Sequence, residues 1–213
     1  MKKLTKIAAG LALATAATVS TSAFAEVSYN VGYASEYYYR GIIQKASSAS
    51  AGIDYEESGF YVGAWTADVG AGLEYDIYGG FGYDFTDDIS GSIGYFYTDD
   101  TFDDTYQEVN LGLSFAFVGL EYSFGEYDNY GAEQDYDFFA ITLEQAGFYG
   151  TYGTFGDDFD GDYFEVGYGT TIADVDMGIA AIFNDSLLSD QTDSVTGNPI
   201  SGEALVFTLG YSF

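Results

Sequence analysis

Residues 73–85, LEYDIYGGFGYDF, place Leu73, Tyr75, Ile77, Phe81, Tyr83 and Phe85 on one side of an extended chain and Glu74, Asp76, Tyr78, Gly80, Gly82 and Asp84 on the other. Alternation sustained over such a length predicts a β-strand with one apolar and one polar face. The same parity returns in Val27-Tyr29-Val31-Tyr33, in Ile89, Ile93, Tyr95 and Tyr97, in Val109-Leu111-Leu113-Phe115 and in Val118-Leu120-Tyr122-Phe124. It continues in Phe164-Val166-Tyr168 and Val175-Met177-Ile179-Ala181-Phe183. Twelve strands are predicted, near 27–37, 47–56, 60–68, 72–85, 88–98, 106–117, 118–126, 135–144, 146–156, 162–171, 174–184 and 203–213, with ten as the alternative count. Short connections at 57–59, 86–87, 117–118, 145 and 171–173 alternate with longer or Gly-rich segments at 38–46, 69–71, 99–105, 127–134, 157–161 and 185–202.

A water-soluble sandwich also alternates, so the direction of the faces needs its own argument. Large aromatics fill one face, whereas the other carries many Gly, Ala and Ser rather than long solvating side chains. Small residues inside and aromatics outside, with Tyr at the interfaces, form the pattern of a transmembrane, antiparallel, up-and-down β-barrel. The composition agrees: of 213 residues, 28 are Gly, 22 Tyr and 18 Phe, and a single Pro leaves nearly every strand amide free to pair. The absence of Cys and His removes disulfides, thiol nucleophiles, imidazole bases and the usual zinc ligands. Enzymes housed in such barrels generally need a His, so no catalytic residue, cofactor or metal is expected.

The first 25 residues have a different character. Lys2, Lys3 and Lys6 precede the apolar run Ile7 to Ala17, and Ala23-Phe24-Ala25 offers an A-x-A cleavage site. This predicts a signal peptide over 1–25 and a barrel over 26–213; the alternative, a membrane anchor, needs a longer apolar run. Cleavage would leave Arg40 and Lys45 as two cations against 34 acidic residues, a formal charge of −32. Such a surface repels phosphate backbones and excludes nucleic acid as a partner. Solvation of external loops is the plain reading of the acidity, and ion handling the specific one.

The final strand, Leu205 to Phe213, alternates to its last residue. A terminal aromatic resembles the signal by which outer-membrane barrels are recognised by the barrel-assembly machinery, a role assigned here to Phe213. The N-terminal third carries a closer likeness. Ser35-Glu36-Tyr37-Tyr38-Tyr39-Arg40-Gly41-Ile42-Ile43-Gln44, Gly59-Phe60-Tyr61-Val62-Gly63-Ala64-Trp65 and Leu73-Glu74-Tyr75-Asp76-Ile77-Tyr78-Gly79-Gly80 resemble the TorF family. That family is assigned as porins by inference and was formerly carried as conserved bacterial proteins of unknown function. Glu36 stands where its pattern has Asp, and the likeness becomes general beyond residue 97. It implies an outer-membrane barrel of a Gram-negative bacterium and names no solute.

The expected function is passive diffusion of small hydrophilic solutes, with cations preferred. Inward acids Glu74, Asp76, Asp84, Glu121 and Glu165 would line the water path. Arg40, just after the first strand, is expected at the lumen mouth, paired with Glu36 or Asp76; contact with lipid phosphate is the other reading. The competing function is a closed structural or adhesive barrel, since lumens near twelve strands stand between filled and freely conducting ones. Expected partners are outer-membrane lipid, lipopolysaccharide and small solutes or cations, with the oligomeric state open. Asp157-Asp158-Phe159-Asp160-Gly161-Asp162 lacks the spaced Glu of an EF-hand and reads as a solvated loop, with divalent-cation binding as its alternative.

Overall fold

The computed structural model describes residues 26–100, 104–129 and 132–213, so the predicted signal peptide lies outside the described residues. Twelve strands follow one another: β1 (Glu26–Tyr39), β2 (Ile42–Glu57), β3 (Phe60–Asp68), β4 (Leu73–Thr86), β5 (Ile89–Asp100), β6 (Asp104–Phe115), β7 (Val118–Asn129), β8 (Gln134–Gln145), β9 (Phe148–Asp157), β10 (Asp162–Ile172), β11 (Val175–Asn184) and β12 (Gly202–Ser212). Each pairs antiparallel with its neighbours in sequence, and β12 pairs with β1 to close the barrel. Closure leaves no open edge, which a bilayer demands because its core offers no water to unpaired amides. At the seam Phe213 and Tyr29 exchange both backbone hydrogen bonds at 2.9 Å, and their rings stack at 5.8 Å. Phe213 therefore completes the ladder.

The alternating sequence is realised as two opposite faces. On β4, Ile77 is 59% exposed on the outside while its neighbour Asp76 is 1% exposed within. Ile93 on β5 lies beside Phe81 and Leu111 in register, and all three point outward. At the end that carries both chain ends, here the near end, outward aromatics gather: Phe60 contacts Phe81, Phe81 contacts Tyr83 and Tyr83 contacts Phe85. Phe148 with Tyr168 and Tyr211 with Phe213 add to the same band. Such a girdle is what an interface selects.

Near-end turns are two residues long, and positive φ at Ser58 and Gly59, at Ala146 and Gly147 and at Ala173 and Asp174 gives them the hand that matches strand twist. Most far-end connections are longer, with one exception that corrects the sequence reading. The segment 38–46 is not a loop: β1 and β2 continue to Tyr39 and Ile42, and only Arg40 and Gly41 turn. Both have left-handed φ, 47° and 81°, so the chain reverses in a tight turn instead of a loop. A register shift between Tyr37 and Tyr38 bends this hairpin, as a bulge does. The short 69–72 connection likewise closes on itself through Val69 N–H and Gly72 C=O at 3.1 Å.

The longest far-end segment, 185–201, is ordered by its own acids. Asp185 Oδ1 accepts the amides of Leu187 and Leu188, and Thr192 bridges to Pro199. Asp193 accepts the Thr196 amide and hydroxyl and the Val195 amide, which hold its carboxyl below the usual range.

The two faces make a direct prediction. Ile93→Lys, on the outer face, should lower the unfolding free energy in phosphatidylcholine vesicles by about 2–4 kcal/mol, the cost of a midplane cation facing lipid. Ser92→Lys, one residue away on the inner face, should cost markedly less in the same denaturant titration. Equal losses would reverse the assignment of the faces.

Candidate functional site

The tip of the β1–β2 hairpin crosses the inside of the barrel. Arg40 Nη1 and Nη2 donate to Glu108 Oε2 and Oε1 on β6 at 2.7 and 2.9 Å. Nη2 also reaches Glu121 Oε1 and Ser123 Oγ on β7, at 2.8 and 2.9 Å. In a ring of twelve strands β7 stands opposite β1, so these contacts are possible only with the tip folded into the lumen. The guanidinium lies 4.3 Å from the Phe138 ring centroid and Arg40 is 5% exposed. The expected pairing with Glu36 or Asp76 is therefore corrected: the bend carries Arg40 past both, to the far wall.

The backbone of the tip is fitted as closely. Asn184 Nδ2 on β11 donates to Gly41 C=O at 2.8 Å. A Cβ at residue 41 would come within 2.7 Å of the Tyr163 Cβ on β10, in a conformation that already favours glycine. Tyr38 packs with Ile182 and Val206 on one side. Ile42, together with Phe159 and Leu188 from far-end connections, meets a buried cluster containing Tyr127, Tyr136, Phe138, Phe155 and Tyr163. Between the tip and the wall remains a cavity of about 220 Å³, bordered by Arg40, Gln44, Glu74, Phe96, Thr98 and Phe155 among others. Lumen walls of Gly, Ser and Ala thus describe the near half only, where inward Ser50, Ser92, Gly112, Thr151 and Thr208 remain partly exposed. Inward aromatics fill the far half.

The five acids named from sequence, all at positions of the inner-face parity, do not form one group. Glu74 accepts the Tyr37 hydroxyl at 2.8 Å. Asp76, one step down the same face, accepts the Thr98 hydroxyl at 2.7 Å, and its other oxygen is buried with no hydrogen-bond partner among the described residues. Glu121 joins the Arg40 cluster. Glu165 accepts the Tyr149 hydroxyl, and Asp84 is exposed beside the β4–β5 turn. Among the inward acids that the sequence reading did not name, Glu108 and Asp54 make the closest contacts. Glu108 shares its parity with Asn110, opposite the outward Val109 and Leu111, so the alternation contained the signal. Asp54 takes hydrogen bonds from Tyr78 at 2.5 Å and Asn30 at 3.1 Å.

The segment 157–162 does not gather its carboxylates. Asp160 accepts the Gly161 amide, Phe159 turns into the aromatic cluster, and Asp157, Asp158 and Asp162 are exposed. Among the described residues the acids that converge are instead Glu126, Glu133 and Asp135, at the far rim. Acids at an exposed rim commonly do so by solvation alone.

The chain matches, over residues 17–193, the family described as bacterial protein of unknown function (Gcw_chp), and it belongs to that family. No curated protein matches it. Its barrel resembles a membrane protein from a study of in-meso crystallization, with a TM-score of 0.58, 11% identity and coverage of 88% of this chain and 83% of that one. It resembles the KdgM porin in complex with disordered oligogalacturonate, with a TM-score of 0.53, 7% identity and coverage of 89% and 98%. The NanC porin gives a TM-score of 0.50, 10% identity and coverage of 87% and 98%. The architecture is that of a porin-like barrel.

Removing Arg40 should expose how much the tip depends on it. Arg40→Ala strands Glu108, 3% exposed, without its cation and should cost about 3–5 kcal/mol in a denaturant titration. Adding Glu108→Gln should recover part of the loss. Strictly additive effects would show that the pair is not coupled.

Proposed function

We propose that this chain is a Gram-negative outer-membrane channel for passive diffusion of small hydrophilic solutes, with a preference for cations. The observation that carries the proposal is the charge of the inner wall. Glu74, Asp76, Glu108, Glu121 and Glu165 make contacts inside the barrel with Arg40 as the cation among them, Asp84 shares their parity, and the outer face is apolar. A negative, low-dielectric passage concentrates cations and raises the energy of anions. KdgM is solved with an oligogalacturonate, a polyanion; the charge here argues for solutes of the opposite sign. In this reading the near end is periplasmic, residues 1–25 are a cleaved export signal, and solutes pass beside the β1–β2 tip through the cavity that it leaves. The TorF-like motifs fit, since Arg40 and Gly41 of the first motif build the tip and Trp65 and Glu74 of the others contact Tyr37 at its base. Lipid and lipopolysaccharide are the surroundings expected of such a barrel, the assembly machinery the partner expected of Phe213, and no catalytic role is assigned.

The hairpin also favours a second reading. A tip buried among aromatics, with Tyr38 only 8% exposed, is what a barrel closed by its own side chains would have. Planar-bilayer recording separates the two. A channel should show a reversal potential of cationic sign in a salt gradient, fading between about 0.1 M and about 1 M salt as the Debye length falls from about 10 Å to about 3 Å. Combined Glu74→Gln, Asp76→Asn and Asp84→Asn should shift the reversal potential toward zero. Absence of conductance in a correctly folded barrel would favour the closed reading, and conductance without cation preference would remove the role given to the acids.

A further inference from the structure

Backbone pairing closes the β1–β12 seam only toward the near end. It runs from Asn30 to Ala34 on β1 against Ser212 to Thr208 on β12, with Tyr29 and Phe213 one step nearer the chain ends, yet β1 continues to Tyr39 and β12 begins at Gly202. On the other flank β2 pairs with β3 only from Ser50 to Glu57, although β2 begins at Ile42. Residues 35–49 therefore form strand pairs with each other alone. This flap leaves the wall at Ser35, whose hydroxyl accepts the Phe207 amide at 2.9 Å where a backbone carbonyl would stand, and at Ser47, whose φ of 63° kinks β2. The two serines face each other across the hairpin, which makes them a hinge. Beyond them side chains cover the seam, as Tyr38 does in packing on Val206.

The seam has a place for the flap in both length and register. Continued beyond Ala34, the register sets Ser35 against Phe207, Tyr37 against Leu205 and Tyr39 against Glu203. Tyr29 and Phe213 exchange both backbone hydrogen bonds, so every second residue counted from them, these three pairs included, points its N–H and C=O across the seam. β12 stays extended there with β11 as its strand partner among the described residues, and Leu205 and Phe207 are 56% and 51% exposed. An unaccompanied stretch of strand is a template for another. In that place Tyr37 and Tyr39 would turn outward beside Leu205, as interfacial tyrosines do. Strands of 14 and 16 residues exceed the roughly 9–11 that cross a bilayer, so the tip would stand clear of the lumen in solvent. Against this stand the Arg40 contacts with Glu108 and Glu121, the Tyr37 hydrogen bond to Glu74 and that of Asn184 to Gly41. We infer that residues 35–49 are a hinged gate with a second resting position, in which β1 zips onto β12 and the tip leaves the lumen; calling that position open rests on the channel reading above.

The chain has no Cys, so an introduced pair reports alone. Tyr37→Cys with Leu205→Cys makes register partners only in the zipped position; in the folded-in one Tyr37 meets Trp65 and Glu74 inside while Leu205 faces outward. Hydrogen-bonded partners on antiparallel strands lie about 5.5 Å apart at Cα, within reach of a disulfide. Mild oxidation of the full barrel in lipid vesicles should give that disulfide, read as thiol loss and a reduction-sensitive gel shift. Adding Arg40→Ala should speed its formation at least about tenfold, by shifting the population toward the zipped position. Tyr39→Cys with Glu203→Cys, which keeps the Tyr37 hydrogen bond to Glu74, is the second pair, and Ser35→Cys with Phe207→Cys, adjacent in both positions, controls for oxidation. Heat-modifiable gel migration reports whether each variant is folded. In planar bilayers the oxidised Tyr37→Cys, Leu205→Cys barrel should conduct more than the same barrel reduced. No disulfide in either pair while the control oxidises would overturn the second position, and a disulfide that leaves the current of a conducting barrel unchanged would overturn the gate. Cation-selective conductance without the disulfide would reject this movement and leave the channel, whereas the disulfide without conductance would reject the channel and leave the movement.

Discussion

A guanidinium taken out of water costs several kcal/mol unless its surroundings replace the lost solvation. Arg40 meets that cost with four charge-assisted or polar contacts to Glu108, Glu121 and Ser123 and with the ring of Phe138 beneath it. Because its partners stand on β6, β7 and β8, the interaction can exist only if the β1–β2 tip enters the barrel. The left-handed turn at Arg40 and Gly41, the shift in register at Tyr37, the close approach of Tyr163 to Gly41 and the Asn184 hydrogen bond all serve that one placement.

The placement divides the lumen. Beyond the tip, Tyr, Phe and the folded-in Leu188 pack as a small core, while on the near side Gly, Ser and Thr leave the wall partly open. Other inward carboxylates are tied to tyrosines, as Asp54 is to Tyr78 and Glu165 to Tyr149. Those hydroxyls hold the acids against the wall. A barrel of this strand number need not be filled, and here the filling is local.

Much of this was legible in the sequence. Parity alone separates Ile77 from Asp76 and Val109 from Glu108, since a strand has only two faces and the bulky aromatic one had to meet lipid. The twelve strands follow from it. The folded-in hairpin did not, and the reason is physical. Residues 37–39 are three consecutive tyrosines, a pattern with no preferred face, and a bulge at Tyr37 breaks the parity where it matters. Arg40 among many acids pointed to an ion pair, but the partner depends on which way the hairpin tilts, and tilt arises from contacts distant in sequence. Inward aromatics such as Phe138 and Phe155 were hidden because they share strands with outward ones.

The Arg40 ion pair holds the tip across the lumen and so narrows it. Single-channel conductance of Arg40→Ala against the unaltered barrel, both showing the same heat-modifiable migration, tests it most directly. Removing the pair should give a larger conductance, from a tip released toward solvent. An unchanged conductance in a folded barrel would contradict it.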